Sequence, residues 1–142
     1  MQDSSLSDRK LAYLVFRLVL GVDTFTHGLV RMLGPGVEGF ASGTTKAFAG
    51  TPLPAGLVHA FLFAVPYIEL ILGALILLGL FLRWSLVVGG LLIGIFVFGT
   101  SLRSDWPTVS IQVIHAIVYY LLLANRGDDW FSLDGLRSKA TS

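Results

Sequence analysis

Nine residues of this chain could hold a polar ligand or move a proton, and most of them interrupt apolar sequence. Arg17, Asp23, His27 and Arg31 fall within the stretch RLVLGVDTFTHGLVR; His59, Glu69, Gln112, His115 and Tyr119 follow. Carboxylates exchange protons, and arginine binds carboxylates or anions through a planar fork of donors. Histidine both donates hydrogen bonds and exchanges protons near neutrality, since its unperturbed pKa is about 6.5. At about 100° per residue, Arg17, Asp23, His27 and Arg31 share a helical sector of about 120°. Gln112, His115 and Tyr119, at i, i+3 and i+7, share a second face.

The surroundings of these residues are those of a bilayer. The chain has 142 residues, 54% hydrophobic and 13% charged, whereas soluble domains carry about 25% charged residues. The apolar residues come in blocks rather than stripes, which places the chain among integral membrane proteins. A net charge of +1 gives no nucleic-acid surface. Cysteine is absent, so disulfides, thiol exchange, iron–sulfur clusters and thiolate metal sites are excluded within this chain; no metal site is assigned. The segment MQDSSLSDRKLAYLVFR begins like a signal peptide, but Arg17 breaks its apolar region and no small-x-small site follows closely. It reads as a retained span.

A span needs roughly 20 apolar residues. Four are expected, at about 11–33, 54–82, 84–103 and 107–125. The fold class is all-α, an integral membrane four-helix bundle making one domain over residues 1–142. Short connections make spans 2 and 3, and spans 3 and 4, antiparallel neighbours, and Pro66 is a candidate kink in span 2. The long first connection, GPGVEGFASGTTKAFAGTPLP, spaces Val37, Phe40, Ala41, Thr44 and Phe48 as one helical face. It is expected to form a short amphipathic surface helix, either a loop tidied against the bundle or a lid over a site. Arg9, Lys10, Arg83, Arg126, Arg137 and Lys139 fall on one side, and Arg31, Lys46 and Arg103 on the other. The richer side is expected to be cytoplasmic, with both termini inside. Gly90-Leu-Leu-Ile-Gly94 matches the small-xxx-small packing pattern, and Trp84, Trp106 and Trp130 read as interfacial anchors.

Depth sorts the polar residues into layers. Counting about 1.5 Å per residue from the outer end of each span, His59 lies about 8 Å down, His27 about 9 Å and His115 about 12 Å. Asp23 follows at about 15 Å, Tyr119 at about 18 Å, Glu69 at about 22 Å and Arg17 at about 24 Å. Arg17 and Glu69 match in depth and charge and are expected to pair, either to orient spans 1 and 2 or to handle protons. The histidine layer, with Gln112 beside it, has three readings. It could hold a quinone by hydrogen bonds, ligate haem through two of His27, His59 and His115, or consist of separately satisfied histidines. The haem reading is the weaker ligand reading, because facing helices show no duplicated ligand spacing. Arg31 is expected to snorkel to the outer surface and attract an anion.

At these residues the chain resembles the DoxX/DoxD-like family of small four-helix membrane proteins. Arg17, Gly21, His27-Gly28 and Arg31 follow the family pattern on the first helix, with arginine where lysine is more usual at position 31. ELILGALILLGLFLR supplies Glu69, Gly73, Gly79 and Arg83; FAGTPLP in the first connection is similar too, and RGDDWFSLDGL carries a Ser-Leu-Asp ending. The resemblance implies a subunit of a quinone-reducing membrane oxidoreductase, in the name-giving members one that oxidises thiosulfate to tetrathionate. It nominates Arg17, His27 and Glu69 as the functional core.

The residues and the resemblance together lead to an expected intramembrane site. Arg17, Asp23 and Glu69 would be its catalytic groups, with His27, His115, Tyr119, His59, Gln112 and Arg31 binding the ligand. Quinone is the expected cofactor, and a second redox subunit the expected partner; homo-oligomerisation is compatible with the sequence. The location expected is the cytoplasmic membrane of a bacterium or archaeon. Two other classes stay open: a non-enzymatic anchor of a redox complex, and a small proton-coupled transporter.

Overall fold

The structure, a computed structural model, describes residues 7–140. The chain runs α1 (Asp8–Leu33), α2 (Gly36–Lys46), α3 (Ala55–Leu78), α4 (Leu82–Leu102), α5 (Trp106–Ala124), a 3-10 turn (Arg126–Asp128) and α6 (Leu133–Ala140). α1, α3, α4 and α5 are long and apolar enough to cross a membrane, and they start and end within a few residues of the expected spans. The short helix expected in the first connection is α2.

Local chemistry explains the boundaries. Asp105 caps α5 by accepting from Thr108 N and Thr108 Oγ1, at 3.3 and 2.9 Å, and Pro107 occupies its first turn, where no amide donor is needed. α3 ends at Gly79, whose φ of 63° is left-handed, a conformation glycine adopts without a Cβ clash. α4 begins beyond a three-residue reversal, and its first amides are capped from a distance in sequence. Asp134 accepts from Phe81 N at 3.0 Å and from Leu82 N at 2.8 Å.

The four spans form two tight pairs, α1 with α3 and α4 with α5. Chain proximity alone would favour α3 against α4, yet that interface is smaller. Glycine explains the difference. A Cβ at Gly28 would stand 2.6 Å from Leu70 N and Pro66 O, one at Gly21 would lie 2.8 Å from Leu77, and one at Gly73 would strike the backbone of Phe25. These three positions let α1 and α3 approach backbone to backbone. The Gly90–Gly94 motif does not act this way within the chain. Nothing lies within 4 Å of a Cβ at Gly94, and it is Gly89 that receives the Tyr119 ring.

Those contacts also set the register. Gly28 meets Pro66 and Leu70, and Gly21 meets Leu77. Relative to Leu33 and Pro54 sharing a level, α3 is displaced by about ten residues, roughly 15 Å. Its first turns therefore stand above the end of α1, where α2 packs on them. Ala41 is fully buried there against Val58 and Leu62, with Phe40, Phe48, Leu53 and Phe61 around them. A second core occupies the other half of the bundle, from Tyr13 and Leu20 through Ile76, Leu82 and Leu86 to Tyr119 and Leu122. The helix directions put Arg9, Lys10, Arg83, Arg126 and Arg137 at that same end of the bundle and Lys46 and Arg103 at the opposite one. The side chain of Lys139 lies outside the described residues.

Candidate functional site

Between the two cores lies a cavity of ≈180 Å³, bordered on α1 by Asp23, Thr24, His27 and Arg31, on α3 by Glu69 and on α5 by Gln112, His115 and Tyr119. Seven of the nine residues singled out in the sequence thus meet around one space. Arg17 and His59 do not border it.

Asp23 is the hub. Its Oδ2 shares a hydrogen bond of 3.1 Å with His115 Nε2, and its Oδ1 lies 3.4 Å from His27 Nδ1. His115 Nδ1 in turn donates to the Ile111 carbonyl at 2.8 Å, so both of its ring nitrogens face acceptors. The His115 imidazole thus bridges the Asp23 carboxyl group and the backbone of its own helix. His27 Nδ1 donates to the Asp23 carbonyl at 2.8 Å, which leaves its Nε2 without a hydrogen bond among the described residues. Asp23 and His27 are 38% and 50% exposed in their side chains, because α1 and α5 touch only sparsely. In a membrane such exposure is costly for polar groups.

Arg31 and Glu69 form an ion pair at the side of the same cavity. This corrects two expectations. Arg31 does not snorkel outward: it turns in to Glu69 and stacks over the Phe40 ring at 4.6 Å. Arg17 does not pair with Glu69. It donates from Nη2 to the Phe131 carbonyl at 2.7 Å and from Nη1 to Asp129 at 3.5 Å. The displaced register of α3 is the reason, since it raises Glu69 to the level of Arg31 and brings Gly79 beside Arg17.

His59 is the third correction. It bonds Glu38 of α2 at 3.0 Å, on the surface, rather than joining the other histidines. The Glu38 carboxyl is held below its ordinary value, chiefly by the hydroxyl of Ser42 and then by His59.

Three threonines near or on the cavity wall were not singled out in the sequence. Thr24 Oγ1 shares a hydrogen bond of 3.2 Å with Tyr119 Oη, Thr108 borders the cavity, and Thr100 Oγ1 accepts from Gln112 Nε2 at 3.0 Å. Threonine in an apolar helix satisfies its own hydroxyl against the preceding turn and carries little signal; adjacency to Asp23 was the one clue for Thr24. Gln112 Oε1 is buried and has no partner among the described residues. Since buried polar atoms are nearly always bonded, this oxygen is open to a donor from a ligand.

Comparison with curated proteins and with solved structures gave no match. A family profile does match: that of DoxX, over residues 12–101. This stretch contains all of α3, most of α1 and nearly all of α4, and with them the Arg31–Glu69 pair, Asp23 and His27; Gln112, His115 and Tyr119 on α5 lie beyond it. On this match, and with four helices fit to span a bilayer, the chain is a membrane protein that belongs to the DoxX family.

Proposed function

We propose that the chain is the quinone-binding subunit of a membrane oxidoreductase, and that the quinone ring sits in the cavity between α1, α3, α4 and α5. The observation that carries this reading is the Asp23–His115 pair, two proton-exchanging groups in hydrogen-bond contact on the wall of a cavity between the spanning helices. Reduction of a bound quinone to a quinol takes up two electrons and two protons. The polar set suits both forms: the Arg31 guanidinium donates to a carbonyl oxygen of the quinone, and His27 Nε2 and the unpartnered Gln112 Oε1 accept from the hydroxyls of the quinol. Asp23 and His115 keep a proton within the cavity wall, and Glu69 neutralises Arg31 so that no net charge is buried there.

Electrons come from outside this chain, which gives a partner subunit its role. Thiosulfate is the first donor to test, since joining two thiosulfates through an S–S bond releases the two electrons that one quinone accepts. Arg31 faces inward, so it offers no external anion site. The positive-inside bias supports cytoplasmic termini, and the proposed location is the cytoplasmic membrane of a bacterium or archaeon.

The test is extraction of the protein purified in mild detergent, with quinone and haem measured by mass spectrometry. The expected result is near one quinone per chain, lost in His27→Ala at unchanged melting temperature. Absence of quinone, together with no binding of added quinone, would move the assignment to a non-enzymatic anchor subunit.

A further inference from the structure

The polar cavity has an apolar neighbour of ≈380 Å³. It occupies the gap between the N-terminal half of α3 and the C-terminal half of α4, with α2 and the turn after it as roof. Val58, Phe61, Leu62 and Val65 form one wall, and Ile95 and Phe98 face them. Arg31, Phe96, Thr108 and Gln112 border both cavities. Two stacking contacts fix the roof: Arg31 over Phe40, and Arg103 over Phe48 at 5.1 Å.

We infer that this apolar cavity holds the isoprenoid tail of the quinone whose ring occupies the polar cavity, and that the ligand class is therefore a long-tailed, lipid-soluble quinone admitted from the bilayer between α3 and α4. The inference rests on the function proposed above and specifies its substrate. Ligand cavities run to about 300–1,000 Å³, a range the polar cavity does not reach by itself and the apolar one does. Leu57, Ile95 and Phe98 at its rim are exposed and apolar, as a lipid-facing doorway requires. Another apolar groove, of ≈660 Å³, lies between α1 and α5 at the inner end, but it shares no bordering residue with the polar cavity. Continuity selects the cavity under α2.

Lipid tails are as apolar as the wall, so the tail gains little by leaving the bilayer. What the cavity contributes is packing, and through it the orientation of the ring. Filling it should therefore weaken tailed ligands and spare tailless ones.

The experiment compares the same substituted benzoquinone with and without a decyl tail, binding to full-length protein in one detergent. Val65→Phe fills the floor of the cavity, and Ile95→Trp narrows its rim should the buried change prevent folding. Ala12→Phe, in the inner groove, is the control. Partition of the tail into detergent is common to all variants, so the readout is the change from wild type. Expected is about tenfold weaker binding of the decyl quinone in the filled variants, an effect of overpacking size, with tailless binding unchanged and Ala12→Phe neutral. Filled variants that bind both quinones as wild type does would overturn the tail assignment and leave the ring site standing. Loss of the decyl quinone in Ala12→Phe alone would move the tail to the inner groove. Wild type that binds neither quinone would remove the function and this inference together.

Discussion

Two arginines on α1 occupy opposite regions of the bundle and serve opposite ends. Arg17 is 2% exposed, and its guanidinium is bound to the chain's own C-terminal segment at Phe131 and Asp129. Around it Asp134 caps α4, and Asp134 N donates to Gly79 O at 3.0 Å. These polar groups mostly face one another, closing the end of the bundle where α1 and α4 begin. Arg31 also has a carboxylate partner, but its pair borders a cavity whose remaining walls hold Asp23, His27 and His115. The difference is that between a fastening and a site. A charge in a spanning helix does not by itself mark chemistry; what matters is whether its partners leave polar atoms facing open space.

The largest effect expected on this comparison comes from Arg17→Leu. It leaves Asp129 and the Phe131 carbonyl without their donor, and breaking a buried pair in this way costs about 3–5 kcal/mol. The melting temperature should fall, and the segment after Ala124 should become open to limited proteolysis. Quinone affinity per folded molecule should hold; its loss in a folded variant would return Arg17 to the site and erase the distinction.

Next in size is a double-mutant cycle on Arg31→Gln and Glu69→Gln. Stability measurements should give a coupling of about 0.5–3 kcal/mol for this pair, whereas Arg17→Gln with Glu69→Gln should be additive within about 0.5 kcal/mol. Coupling in the second cycle would contradict the register of α1 on α3. Smaller again is Asp134→Ala, which removes the cap of α4 and should lower stability by about 1 kcal/mol without touching quinone affinity.

The smallest effect concerns Glu38 on the roof. Its folded-state pKa is depressed below the ordinary 4.5, so its contribution is complete above that value and lost as pH falls through the folded one. Wild type should lose its small margin of melting temperature over Glu38→Gln as the pH is lowered past this range. A margin that persists in acid would assign the contact no electrostatic part.

The helical class, the four spans and the amphipathic helix were legible because each rests on local pattern: apolar length, turn residues and a 3.6-residue period. Much of the site was legible for the same reason. Asp23, His27 and Arg31 share a face of one helix, and Gln112, His115 and Tyr119 share a face of another, so a bundle that buries both faces gathers them. Pairing across helices was not legible. Arg17 and His59 were placed with the site by counting depth from the ends of the spans, and that count assumed all spans begin at one level.

The sequence by itself determined which residues lie on which helix face, since helical periodicity depends only on neighbours along the chain. Only the tertiary structure decided which charge meets which. The backbone contacts at Gly21, Gly28 and Gly73 slide α3 along α1 until Glu69 faces Arg31. Axial register is a property of two surfaces in contact, and neither helix carries it alone.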